Sequence, residues 1–177
     1  KSVEKQGAGA ALIKNPKLAR EIIRAAKEGA GDLPVSVKTR IGFNKSELET
    51  WLPELLAEEP AVITVHARTR KEMSLVPARW EHVKRAVEIR NSMGSKTLIF
   101  GNGDVTDITD AQNKVMETGC DGVMLGRAIF GNPWLFSNPS HVPSITEKLQ
   151  VMVEHTKLFE TLLPHKNFSI MKKHYKA

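Results

Sequence analysis

Three pairs of polar residues, each pair two positions apart and each closing an apolar run, stand out as the chemistry of this sequence. They are Lys38 and Arg40, His66 and Arg68, and Asn102 and Asp104; a Gly126–Arg127 step closes a fourth run. Residues two apart on an extended strand face the same side, so each pair points one way. Taken singly, a strand-end histidine or arginine is explained by the need of any buried polar group for a partner. Four such ends converging, most of them cationic, favour an anionic, phosphate-bearing ligand. The sharpest stretch is Asp121 to Trp134, where Gly122 to Leu125 is an apolar strand ending at Gly126. Gly126 lets backbone approach a ligand closely, and Arg127 offers a planar charged fork. Ala128 to Phe130 begins a helical turn whose free N–H groups would point to the same place. The stretch fits two readings, a phosphate site or a plain strand-to-helix turn with a surface arginine.

The elements that must position these residues alternate. Asn15-Pro16 caps a helix over Lys17 to Glu28, and Val35 to Gly42 reads as a strand. Ser46 and Glu49 form a capping box for a helix through Leu56, disturbed at Pro53, and Val62 to Arg68 is the next strand. An amphipathic helix over Trp80 to Met93 leads to the Thr97–Phe100 strand and the Gly101-Asn-Gly-Asp-Val105 loop; a helix over Asp107 to Glu117 and the Gly122 strand follow. Strand ends near Lys38, His66, Asn102 and Gly126 recur at spacings of 28, 36 and 24 residues, close to the roughly 30 residues of a βαβ unit. This is an α/β pattern with a parallel sheet. Four units without a switch in strand order fit about the last four βα units of a (β/α)8 barrel, with a doubly wound sheet left open. In such barrels a phosphate is often held between the loops after the last two strands, and these two loops are the last such pair here.

After Trp134 the character changes. Asn138 to Ser144 is a linker, Ser144 or Thr146 caps a helix to about Leu163, Pro164 ends it, and Asn167 opens another helix running to Ala177. The domains expected are therefore 1–137, part of a barrel, and 138–177, a linker and the start of an all-helical module.

The 177 residues are 41% hydrophobic, enough to bury a core, but a full barrel needs about 250 residues. The net charge of +6 is uneven: residues 1–45 hold ten Lys/Arg against four acids, residues 147–177 six against three. Basic ends suit a polyanion such as RNA, although a solvated lysine-rich surface has the same composition. The single cysteine, Cys120, excludes a disulfide framework, suggests a reducing, cytoplasmic setting, and precedes its strand at the end away from the loops, where it reads as a packing residue. No run approaches a membrane span, no signal peptide opens the chain and no metal is expected; the start at Lys1 suits a fragment or a processed product.

Lys-Thr-Arg-Ile-Gly (38–42), Val-His-Ala-Arg-Thr-Arg (65–70), Gly-Asn-Gly-Asp-Val (101–105) and Asp-Gly-Val-Met-Leu-Gly-Arg-Ala-Ile-Phe-Gly-Asn-Pro-Trp (121–134) together resemble the tRNA-dihydrouridine synthases. The opening residues 1–12 resemble the segment after that family's catalytic loop, and 168–177 the start of a helix in its C-terminal domain. The resemblance implies a barrel holding FMN across its mouth, with the NADPH-reduced flavin giving hydride to a uridine of tRNA. It implies that Lys38 approaches the flavin ring, that His66 lies beside ring or phosphate, and that Arg68 stands near cofactor or RNA. Asn102, Gly103, Asp104, Gly126 and Arg127 would cradle the phosphate, and Arg40, Arg70, Lys172 and Lys173 would touch the RNA. The family protonates uracil with a cysteine in an Asn-x-Gly-Cys-Pro-x-Lys loop; Lys1 matches that loop's last residue, and Cys120 lies in another motif. The expectation is a part of such an enzyme, inactive alone. The other readings are a non-catalytic module binding RNA or flavin phosphate, or another FMN barrel, which leaves the Gly-Asn-Pro-Trp exit and the helical tail unexplained.

Overall fold

A computed structural model of the chain describes residues 2–137 and 141–175. Four strands, β1 (Ser36–Arg40), β2 (Val62–His66), β3 (Leu98–Asn102) and β4 (Gly122–Met124), form one parallel sheet in the order β1-β2-β3-β4. A short helix, α1 (Ser2–Lys5), a 3-10 segment (Gly9–Lys14) and α2 (Pro16–Ala30) precede β1. The crossovers are α3 (Leu48–Leu56), α4 (Glu81–Ser92) and α5 (Ile108–Thr118). This is the consecutive βα run of a partial (β/α)8 barrel. A helix follows each of β1, β2 and β3 because parallel neighbours need a long crossover.

The register sorts the side chains into two faces. Val37, Ile63 and Ile99 are aligned, as are Thr39, Val65, Gly101 and Val123. These rows face the helices: Ile63, Val65 and Ile99 are fully buried, and the Trp51 indole of α3 donates to the Thr39 hydroxyl at 2.9 Å. The intervening rows, Lys38–Thr64–Phe100–Gly122 and Arg40–His66–Asn102–Met124, face the other way. On that face Leu98 and Met124 are exposed and Phe100 is half-buried. Gly101 belongs to the helix face for a packing reason, since a Cβ there would lie 2.2 Å from the Trp80 ring.

Most helix starts follow their caps. Asn15 accepts from the Leu18 N–H with Pro16 in the first turn, Asp107 accepts from Asp110, and Ser144 with Glu147 completes a capping box for α6 (Ile145–Leu162). The box expected from Ser46 and Glu49 does not form. Helix α3 starts at Leu48 after Glu47, whose carboxylate turns back to the Phe43 N–H (2.7 Å) while its own N–H donates to the Ile41 carbonyl (2.8 Å). Glu49 is drawn outward to Arg85 of α4 at 2.7 Å. A second difference lies at the end, where Asn167 caps a 3-10 segment, Phe168–His174, in place of the expected helix. The expected linker falls partly on residues 138–140, and the last two residues of that helix on 176–177, outside the described residues. No helix among the described residues is long and apolar enough to cross a membrane.

Candidate functional site

The carboxyl ends of β2 and β3 meet in a dense polar knot. Arg68, two residues beyond β2, is only 3% exposed. Its Nε donates to the Val76 carbonyl at 2.6 Å, Nη2 to the Asp104 carboxylate, and Nη1 to the His66 Nε2 at 3.3 Å. Asp104 stands in the left-handed region at φ 59 and also accepts from the Ala78 N–H at 2.8 Å and from Arg127 at 2.7 Å. Its carboxyl is held below the usual aspartate range, chiefly by the Arg68 hydrogen bond. Gly103 adopts φ +129, where an added Cβ would meet Ala78 at 2.7 Å and His66 at 3.2 Å, and its carbonyl accepts from the buried Trp80 indole at 3.0 Å. Asn102 donates to the Met124 carbonyl at 2.6 Å, tying β3 to β4.

The flanks of the row are open. Lys38 is exposed on the sheet face, yet the surrounding protein lowers its pKa by desolvation, and the Arg40 charge adds to that. Arg40 donates to the Thr69 carbonyl at 2.9 Å and the Met73 carbonyl at 3.3 Å, holding the loop after β2 over the strand ends. His66 is pushed down to about 4, first by desolvation and then by Arg40, Lys38 and Arg68, against which Asp104 acts weakly. Gly126 has only open space where a Cβ would stand, and the Arg127 side chain is 67% exposed. The expected helix N-terminus after Gly126 is a single 3-10 turn, Arg127–Ile129. The N–H groups of Ile129 and Phe130 close that turn on Gly126 and Arg127, so they do not face a ligand.

Arg40, His66, Arg68, Met73, Ser74, Asn102, Asp104, Gly126 and Arg127 line a cleft of about 260 Å³. The structure thus brings together every strand-end residue singled out by spacing, with Lys38 one layer below on the same face. Arg70 lies outside the cleft: it pairs with Glu4, and together with Lys14 it flanks the Phe43 ring, at 5.4 Å and 3.6 Å. Lys172 and Lys173 are exposed on the last 3-10 segment, Lys173 over the Phe130 ring at 4.6 Å. Cys120 is 2% exposed at the start of β4, with its thiol against the Gly122 carbonyl at 3.3 Å. Sequence reasoning missed the part played by the loop before Trp80, which supplies Met73, Val76 and Ala78 to the knot, and Trp80, expected as the first residue of the next helix, stands just ahead of it. The loop's one local signal is Thr69-x-x-Glu72, whose side chains cap each other's backbone N–H groups. Among the described residues no group of three metal-ligating side chains converges.

The family profile described as Dihydrouridine synthase (Dus) matches residues 1–177. A "Probable tRNA-dihydrouridine synthase" of Staphylococcus epidermidis (strain ATCC 35984) is 41% identical over 160 residues, covering 90% of this chain and 48% of that protein. The protein of the same name in Staphylococcus aureus (strain MRSA252) is 40% identical over 159 residues, 89% of this chain and 48% of its own. A "Probable tRNA-dihydrouridine synthase 2" of Bacillus subtilis (strain 168) is 39% identical over 160 residues, 90% of this chain and 49% of its own. The chain spans about half the length of the curated relatives it matches.

Proposed function

The chain belongs to the dihydrouridine synthase family, and from that premise we propose that its strand ends are the phosphate side of an FMN site in a tRNA-dihydrouridine synthase. The observation that carries the reading is the in-register row Arg40–His66–Asn102, with Lys38 below it and Gly126–Arg127 beside it, on a sheet face where Lys38, Leu98 and Met124 are exposed. The cleft is smaller than the roughly 300–1,000 Å³ of whole-ligand pockets, which suits one end of a cofactor. Its one carboxylate, Asp104, is already paired with two guanidinium groups, so the remaining potential is positive. An anion fits that field, and the bare Cα of Gly126 leaves room for a phosphate to approach the backbone.

When bound, FMN reduced by NADPH supplies the hydride that converts a tRNA uridine to dihydrouridine. The residues of this chain orient and neutralise. Arg127, its side chain exposed and its Nη2 held by Asp104, would offer its remaining donors to the phosphate. Lys38 is exposed on the open face, where its ammonium would stabilise negative charge on the cofactor ring. Arg68, Asn102 and Gly103 hold the cradle through the contacts described above. We assign residues 1–137 to the FMN barrel and 138–177 to a linker and the start of an RNA-binding helical module, in a cytoplasmic enzyme. There Lys172 and Lys173 would meet tRNA phosphates, with Arg40 and Arg70 at the barrel rim. Cys120 is buried at the far end of β4 and is not assigned as the proton donor to uracil. The 177-residue chain by itself is expected not to reduce uridine in unmodified tRNA.

The test is a titration of FMN into the protein, followed by flavin absorbance and fluorescence quenching, beside Arg127→Ala. Saturable binding weakened about 10- to 100-fold in the variant, the equivalent of one charged hydrogen bond, supports the reading. Absent binding, or binding indifferent to Arg127, overturns it.

A further inference from the structure

A guanidinium has only donors, so its contact with an imidazole nitrogen defines which nitrogen lacks a proton. Arg68 Nη1 stands 3.3 Å from His66 Nε2, with a geometry that satisfies a hydrogen bond. Nε2 therefore accepts, and the proton of a neutral His66 lies on Nδ1. The arrangement is built, because Arg68 is 3% exposed and its other nitrogens are held by the Val76 carbonyl at 2.6 Å and by Asp104. The same ring edge is fixed from the other side: a Cβ on Gly103 would lie 3.2 Å from His66 Cδ2 and 3.5 Å from Nε2. Nδ1 lies on the opposite ring edge, and His66 lines the cleft.

We propose that Arg68 is a positioning residue that keeps His66 neutral with its proton on Nδ1, making His66 a fixed hydrogen-bond donor to an oxygen or nitrogen acceptor of the ligand. The charged groups facing the ring agree. Lys38 and Arg40 from β1 and Arg68 from beyond β2 oppose a second proton, while Asp104, which alone would favour one, is engaged with Arg68 and Arg127. His66 thus contributes direction without charge: it neither attracts an anion as an imidazolium nor takes a proton at Nε2. The identity of the acceptor rests on the flavin reading; the protonation state of the ring does not.

The experiment is long-range ¹H–¹⁵N correlation spectroscopy of ¹⁵N-histidine-labelled protein without cofactor, from about pH 5 to 8, with His66 identified by its loss in His66→Gln. The expected spectrum has an unprotonated Nε2 and a protonated Nδ1 across that range. In Arg68→Met, the His66 titration shifts upward and the two nitrogens average between tautomers, which a purely structural role for Arg68 would not produce. A protonated Nε2 or an imidazolium at neutral pH in the unsubstituted protein overturns the proposal, as does an Arg68→Met spectrum identical to the parent's. The unsubstituted spectrum decides alone if that variant does not fold. Because no flavin is present, failure to bind FMN and failure of this assignment are separate results.

Discussion

The two glycine-closed loops at the mouth of the sheet, 101–105 and 126–127, look alike in sequence and do different work. After β3, Gly103 lies in a backbone region closed to other residues, pressed on Ala78 and His66, and Asp104 is fully engaged with Arg68, Ala78 and Arg127. After β4, Gly126 faces open space and Arg127 reaches into solvent. The first loop is scaffold; the second is what a ligand meets. The same division runs through the cations, since Arg68 is buried with each guanidinium nitrogen engaged, while Arg127 and Lys38 are exposed. Residue type and spacing mark a functional corner without saying which members touch the ligand and which hold the others in place.

The strongest way to break the comparison is Arg68→Met. It leaves the Val76 carbonyl without its guanidinium donor, removes one of the three donors to the Asp104 carboxylate, and should lower stability by about 3 kcal/mol in urea unfolding. A loss below about 1 kcal/mol, the range of surface pairs, would mean the knot is not scaffold. Gly103→Ala should follow, at about 2–3 kcal/mol, from the positive φ together with the Ala78 contact. Gly126→Ala, the matched change in the other loop, should stay under about 1 kcal/mol and weaken FMN binding instead. Equal stability losses in the two alanine variants would erase the distinction between the loops.

Acid titration sharpens the comparison further and with a smaller effect. His66 is lowered from 6.5 to about 4 in the folded chain, so on acidification the unfolded chain takes up that proton first. Its share of stability is present above about 6.5 and is lost as pH falls toward about 4. Glu58, buried just past α3 against Arg20 and Arg24 of α2, is lowered from 4.5 to about 2, first by the Arg24 hydrogen bond and then, with burial opposing, by Arg20. Its share is present above about 4.5 and is lost toward about 2. Thermal midpoints against pH should therefore fall in two windows, with His66→Gln removing the upper and Glu58→Gln reducing the lower, which Asp104 shares. A single acid transition unaffected by His66→Gln would show that the ring is not held neutral.

What was legible in the sequence is what local rules decide. Alternation over Val35 to Arg40 and the apolar run at Val62 located the strands, and Asn15 and Ser144 are caps whose partners lie within three residues. What was not legible depends on partners far along the chain. Arg70 meets Glu4 across 66 positions, and Arg68 meets Asp104 across 36. The capping box at Ser46 failed because Glu47 was recruited by Phe43 and Glu49 by Arg85. Loop 69–80 carries no periodicity, so its part in the site appears only once strand ends from three units converge on it.

The strand order has a consequence for how the molecule is made. Among the described residues each strand pairs only with its predecessor and its successor in sequence, so every crossover closes a short loop and the sheet grows from one side. Contacts of modest sequence separation form faster than distant ones, and chains emerging from the ribosome fold N-terminal units first. The expected course is vectorial, with β1 and β2 registered before β4 exists, readable as earlier amide protection in pulse-labelled hydrogen exchange. On that course the Arg68–Asp104 pair forms as soon as β3 has docked, and the open Gly126–Arg127 step arrives last, onto a corner already set.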